Sequence, residues 1–143
     1  MKTIQVQLGD RSYPINVKPG LTKDIPSILS DNNHGQKWVI ISQNRLMKLF
    51  GFDLMANLKD SEFDMEFITI PVGESAKSLN DFKRVVSKMI ELNCDRSTTI
   101  LALGGGTVGD VAGFVASSFM RGIKYYQIPT TLLAMVDSSI GGK

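Results

Sequence analysis

Residues 99–110 read TILALGGGTVGD: an apolar run, then consecutive glycines, then residues that suit a helix. The run is continuous enough for a strand covered on both faces. Glycines placed directly after it let bare backbone approach a ligand. A Cβ would hold that ligand away and would penalise the positive φ angles that aim successive N–H groups at one point. A helix opening there adds the positive end of its dipole, so the segment suits a phosphate. The spacing Gly104-x-Gly106-x-x-Gly109 also satisfies the dinucleotide fingerprint between a strand and a helix. A purely structural turn would give the same letters. The acid that usually follows ~20 positions on, to hold ribose hydroxyls, is missing. Residues 127–134 read QIPTTLLA.

Outward from that turn, strand and helix patterns alternate. Toward the N-terminus, Ser78 opens a helix whose Phe82, Val85, Val86, Met89 and Ile90 form one apolar stripe. Before it come a strand from Met65 to Ile70, ended by Pro71, a short helix near Asn44 to Phe50, and the strand Lys37 to Ser42. Thr22 is placed to cap a helix through Leu29, which Asn32-Asn33-His34-Gly35 breaks. At the start, Ile4, Val6 and Leu8, then Tyr13, Ile15 and Val17, alternate with polar residues around Gly9-Asp10-Arg11, which predicts an antiparallel hairpin. Beyond the turn, a helix from about Val108 to Met120 and a strand from Lys124 to Ile128 complete the order. The expected fold is α/β: a Rossmann-like, mostly parallel sheet with helices on both faces, preceded by a β-hairpin. Trp38 reads as core and Cys94 as partly buried packing.

The chain has 143 residues, the length of one ordinary domain. A formal charge of +2 with dispersed lysines gives no nucleic-acid surface, and no run approaches the ~20 apolar residues of a membrane helix. The start, MKTIQVQLGD, lacks a hydrophobic signal core and reads as a mature strand of a cytoplasmic protein. One cysteine excludes an internal disulfide, and one histidine, His34 in a solvated turn, leaves no zinc pattern. A metal would have to be held mainly by residues outside this chain.

Several other residues can carry chemistry. A P-loop ending at Gly142-Lys143 would need glycine at position 137, which is Asp137, so nucleoside triphosphate hydrolysis is not expected. Glu74, just past the strand that ends at Pro71, can accept from a ribose diol and would repel a 2′-phosphate, favouring NAD over NADP. Lys77 can pair with Glu74 or donate to the same sugar; a simple exposed i,i+3 pair is the alternative. Asp110 stands one turn into the helix after the glycines, as a cap or as a ligand to ribose or carboxamide. Arg121-Gly122 sits between apolar elements, so its charge calls for an anion, either a substrate phosphate or a structural carboxylate. In Asp137-Ser138-Ser139-Ile140-Gly141-Gly142-Lys143 an acid, hydroxyls and an ammonium crowd together. That suits a phosphorylated polyol; a capped turn is the alternative.

With these motifs in view, the sequence resembles the N-terminal half of the 3-dehydroquinate synthase family of sugar-phosphate cyclases. The likeness rests on GESAK at residues 73–77, LGGGTVGDVAGF at 103–114, Arg121-Gly122, PTTLLA at 129–134 and VDSSIGGK at 136–143. It implies an NAD-binding domain over residues 1–143. Glu74 and Lys77 would lie at the adenosine ribose, Gly105, Gly106 and Val108 near the pyrophosphate, and Asp110, Thr130, Thr131, Leu133 and Ser138 along the cofactor. Asn44 would add a cofactor contact after the second parallel strand. Asp137 and Lys143 would face both cofactor and substrate, and Arg121 would reach substrate phosphate, even in a neighbouring subunit. Ser42 departs from the family, which often has Asp or Asn there, and puts that adenosine contact in question.

In the family, NAD reversibly oxidises one hydroxyl of 3-deoxy-D-arabino-heptulosonate 7-phosphate, which acidifies the adjacent carbon so that phosphate can leave; ring closure then gives 3-dehydroquinate. A divalent metal, zinc or cobalt, is held with most of the substrate by a C-terminal helical domain, and the full-length protein is a homodimer. The chain is therefore expected to fold and bind NAD weakly at best, with no catalytic set complete within it. Rival readings are an inosose or valiolone synthase, a glycerol-dehydrogenase-type metal oxidoreductase, and a free-standing nucleotide-binding module without catalysis.

Overall fold

The computed structural model describes residues 1–30, 37–58 and 64–141. The turn around His34 and the last two residues, including Lys143, lie outside the described residues. The alternating N-terminus forms an antiparallel hairpin of β1 (Lys2–Val6) and β2 (Tyr13–Val17), with Ile4 opposite Ile15. It stops short of Leu8, which bridges to Asp10 in a turn closed by Ser12 Oγ. Thr22 does not cap the next helix. It lies inside a 3-10 turn, Leu21–Lys23, and α1 (Ile25–Ser30) follows only after Asp24, whose carbonyl accepts the Ile28 N–H.

A four-stranded parallel sheet is built from β3 (Lys37–Ser42), β4 (Asp64–Thr69), β5 (Thr99–Gly104) and β6 (Lys124–Pro129), in the order β4-β3-β5-β6. β3 and β5 are central, and both their faces are covered, which explains their unbroken apolar runs. Trp38, Ile40, Leu101 and Leu103 point to one core, with α1 and the helical run of α2 (Asn44–Leu46), a π-turn (Met47–Gly51) and α3 (Phe52–Leu58). That run continues past Phe50 because Leu54 and Leu58 remain buried. Val39, Ile41, Ile100 and Ala102 point to the other core, with α4 (Leu79–Glu91) and α5 (Gly106–Ser118). Burying each large apolar side chain contributes about 1.5–3 kcal/mol.

Ser78 caps α4 as its sequence suggests, accepting from the Asp81 N–H at 3.0 Å. Of the apolar stripe, Val85 and Met89 are sealed and Phe82 and Val86 are half-buried, while Ile90 faces solvent. The connection from β3 leads to β4 on one side and that from β5 to β6 on the other. Such a reversal leaves a crevice between the C-terminal ends of β3 and β5, the place where parallel sheets bind ligands.

Candidate functional site

Backbone and one buried hydroxyl define the floor of the crevice. Ser42 is fully buried and its Oγ donates to the Leu103 carbonyl at 2.6 Å. Its carbonyl accepts the Ile70 N–H at 2.8 Å. Ser42 therefore ties β3 to its neighbours and presents nothing to an adenosine. On the far side, the Thr130 N–H donates to the Gly104 carbonyl at 2.9 Å, which anchors the exit of β6 beside the glycine turn.

The turn does not use the left-handed backbone expected of it. Gly105 has φ −81°, and among the described residues the positive-φ glycines are Gly9, Gly20, Gly73, Gly122 and Gly141. The chain passes straight from strand to helix, and what the glycines supply is room. A Cβ on Gly104 would lie 2.5 Å from Val108 Cγ2, one on Gly105 3.2 Å from Thr131 Cγ2, and one on Gly106 3.1 Å from Ser138 Oγ. The helix opens at Gly106, ahead of Val108, and no side chain caps it. Its first turn closes with the Gly109 N–H on the Gly105 carbonyl at 3.1 Å. The N–H groups of Gly106, Thr107 and Val108 precede that bond and have no acceptor within the helix. Donors and dipole together point at the crevice.

Glu74, Lys77 and Asp110 come together beside that turn. Glu74 opens a 3-10 turn, Glu74–Ala76, after β4. Lys77 Nζ lies 2.8 Å from Glu74 Oε2 and 2.8 Å from Asp110 Oδ2, so it bridges the carboxylates. Thr107 Oγ1 donates to Glu74 Oε1 at 2.9 Å. Hydrogen bonds from Lys77 and then Thr107 hold the Glu74 carboxyl below its ordinary range. Asp110, one turn into α5, is thus an ion-pair partner of Lys77. Beside them, Leu79, Phe82, Val111 and Phe114 line an open groove of about 250 Å³ that also reaches Lys77 and Asp110.

The segment after β6 folds over the turn. Thr131 Oγ1 accepts the Ala134 N–H at 3.2 Å and starts a helical stretch that becomes the π-turn Ala134–Ser138. The Ser139 and Ile140 N–H groups close it on the Ala134 and Asp137 carbonyls. Thr130, Thr131 and Ser138 therefore surround the glycines, with Leu133 and Asp137 on the exposed side. Leu132, Leu133, Met135, Val136 and Ile140 form an exposed apolar surface there. The Gly141 N–H donates to Tyr13 Oη at 2.8 Å, which joins the hairpin to this segment.

Arg121 does not join the group. It is exposed, at φ 69°, where α5 ends in a tight 3-10 turn, and among the described residues it makes no ion pair. The 13 residues of α5 rise about 20 Å and separate it from the glycines. Of the two anions expected for it, a substrate phosphate or a structural carboxylate, the second is not found among the described residues, because Arg121 faces water. Asn44 opens α2 at the C-terminal end of β3, exposed on the crevice side.

Three residues with a part in this geometry carried little signal. Thr107 lies within the glycine motif, but its partner is 33 positions away. Tyr125 and Gln127 alternate on β6 toward Gly109 and Gly113, whose missing side chains admit them. Tyr125 Oη donates to the Gly109 carbonyl at 2.8 Å, and burial raises its pKa, keeping it a donor. Gln127 Nε2 donates to the Ser139 carbonyl at 3.2 Å, linking β6 to the segment above the turn. Period-2 patterning alone could have put both on the α5 face.

Residues 67–143 match the profile of the 3-dehydroquinate synthase N-terminal family. The chain belongs to that family. A 3-dehydroquinate synthase of Clostridium acetobutylicum is 43% identical over all of this chain, which spans 40% of that relative. Among solved structures, a 2-deoxy-scyllo-inosose synthase complexed with carbaglucose-6-phosphate, NAD+ and Co2+ superposes with a TM-score of 0.86 at 26% identity, over 96% of this chain and 37% of its own. A 2-epi-5-epi-valiolone synthase from Streptomyces hygroscopicus with NAD+ and Zn2+ gives 0.79 at 31% identity, over 95% of this chain and 37% of its own. Within the family fold, an uncapped helix start with space for backbone approach and an oriented carboxylate fits a dinucleotide. A divalent metal does not find a matching donor set: among the described residues no three His, Cys, Asp or Glu side chains gather. No described helix is long and apolar enough to cross a membrane.

Proposed function

We propose that this chain is the NAD-binding domain, residues 1–143, of a 3-dehydroquinate synthase, which converts 3-deoxy-D-arabino-heptulosonate 7-phosphate to 3-dehydroquinate and phosphate. The observation that carries this reading is the uncapped start of α5 at the sheet's switch point, flanked by Glu74 on one side and Thr131 and Ser138 on the other. The N–H groups of Gly106, Thr107 and Val108, with Gly105 leaving room, hold the diphosphate. Glu74 accepts from the adenosine ribose diol, and Lys77 keeps that carboxylate charged. Asn44, Asp110, Thr130, Thr131, Leu133 and Ser138 line the rest of the cofactor. Bound NAD supplies reversible hydride transfer.

Asp137 serves the substrate side, and Lys143 is given the same role on its sequence match alone. Arg121, exposed at the opposite end of α5, offers its guanidinium to a substrate phosphate held by a second copy of the protein, in keeping with a homodimer. The identity of 43% to a 3-dehydroquinate synthase, against 26% and 31% to the inosose and valiolone synthases, favours the shikimate-type substrate over theirs. The metal and the remaining substrate contacts belong to sequence that the relatives carry beyond this span, so the 143 residues alone bind NAD without turnover. Calorimetric titration with NAD+ tests the reading. Glu74→Ala should weaken binding about tenfold, the equivalent of ~1.4 kcal/mol. Equal affinity in both proteins would remove Glu74 from the ribose, and phosphate release by the purified chain would contradict its inactivity.

A further inference from the structure

Glu74 is an exposed side chain, 75% accessible, on a short turn, yet it is restrained at both oxygens. Lys77 alone cannot fix it, because Lys77 is shared with Asp110 at the same 2.8 Å and can swing toward either acid. Thr107 has the better geometry for the task. Its β-branched side chain is restricted at χ1 in the first turn of α5. Its hydroxyl has a single proton, given to Glu74 Oε1 at 2.9 Å, across from the Lys77 contact on Oε2. Thr107 also follows Gly106 directly, so the helical turn whose amides face the diphosphate is the turn that orients the acid.

We infer that Thr107 is a positioning residue for Glu74, fixing the carboxylate so that it accepts from a free ribose 2′,3′-diol and repels a 2′-phosphate. Resting on the NAD reading above, this makes Thr107 a determinant of selection between NAD and NADP. An acid free to rotate would still carry its charge, but would present no fixed pair of acceptors to the diol and could turn away from a 2′-phosphate.

The test compares the unmodified chain with Thr107→Val, which keeps the shape and removes the hydroxyl, Thr107→Ser, which keeps the hydroxyl, and Glu74→Ala. Affinities for NAD+ and NADP+ are measured by calorimetry, and the Glu74 carboxyl is titrated by 13C NMR without cofactor. Thr107→Val should weaken NAD+ by about three- to tenfold, the ordinary net effect of losing one solvent-exposed hydrogen bond, and narrow the NAD+ to NADP+ ratio. It should also raise the Glu74 pKa toward the ordinary carboxylate value. Thr107→Ser should restore both. An unchanged NAD+ affinity and ratio in Thr107→Val, with Glu74→Ala weakened, would overturn the positioning role and leave the ribose reading standing. No effect in Glu74→Ala, or no binding of NAD+ by the unmodified chain, would overturn both. A loss of affinity shared by Thr107→Ser, or an unmoved Glu74 titration in Thr107→Val, would assign the effect to folding and contradict the inference.

Discussion

Neighbouring glycines at the turn do different things, and alanine separates them. A Cβ on Gly104 would strike Val108, a β-branched side chain that is 1% exposed and packed in the α4–α5 core, so neither partner can move. Gly104→Ala should cost about 1–3 kcal/mol of stability through overpacking. On Gly106 the Cβ meets only Ser138, its Oγ at 3.1 Å and its Cβ at an ordinary 3.5 Å, and the hydroxyl can rotate away. Alanine there gains up to ~1 kcal/mol of helix propensity, so the melting temperature should hardly change. On the proposed reading NAD+ affinity should nonetheless fall by about tenfold or more, because the methyl group would crowd a diphosphate brought up to these amides. Thermal melts and calorimetry on the two variants read these outcomes. Glu74 follows the sign of its depressed pKa. Its ion pair helps the fold above the carboxyl's unfolded pKa, and that help is lost as pH falls through the folded value.

At the level of elements, α4 and α5 pack side by side on one face of the sheet, and a cap fixes the start of α4. Ser78 Oγ accepts from the Asp81 N–H and donates to Asp81 Oδ2 at 2.9 Å, immediately after Lys77. Ser78→Ala should cost about 1 kcal/mol in urea unfolding, and Ser78→Asp should recover most of it. Such caps, the stripe of α4 and the paired cores of β3 and β5 are legible in the sequence because their causes are local: spacing, a hydroxyl before an apolar run, an unbroken β-branched stretch. The expectations for the start of α5 and for Glu74 rest on the same kind of local signal, since both follow directly on the ends of strands. Non-local geometry was not. The bond from Thr107 to Glu74 and the bridge from Lys77 to Asp110 depend on the order of strands, which periodicity does not encode. Arg121 misled because flanking apolar residues suggest burial, whereas the helix end turns it outward. The glycines misled in conformation, since room for Val108, Thr131 and Ser138 requires them as fully as a positive φ would.

Across the whole molecule, the C-terminal edge of the sheet gathers Asn44, Glu74, the opening of α5, Thr130 and the π-turn, and so concentrates donors where β3 and β5 diverge. The opposite edge carries a second open depression lined by Lys37, Asp64, Asn93, Asp95 and Ser97. There the charged groups are already partnered: Lys37 reaches Asp64 at 2.7 Å and the Leu92 carbonyl at 2.9 Å, and Ser97 donates to Asp95. The proposed seat of the diphosphate, the first amides of α5, therefore lies at the end of the sheet where backbone donors have no helical acceptor. Backbone amide NMR with added NAD+ reads that seat most directly. Saturable shifts centred on the Gly105, Gly106, Thr107 and Val108 N–H groups, reproduced in part by inorganic pyrophosphate, are the expected result; shifts centred on the Asp64–Asp95 depression, or none at residues 105–108, would contradict it.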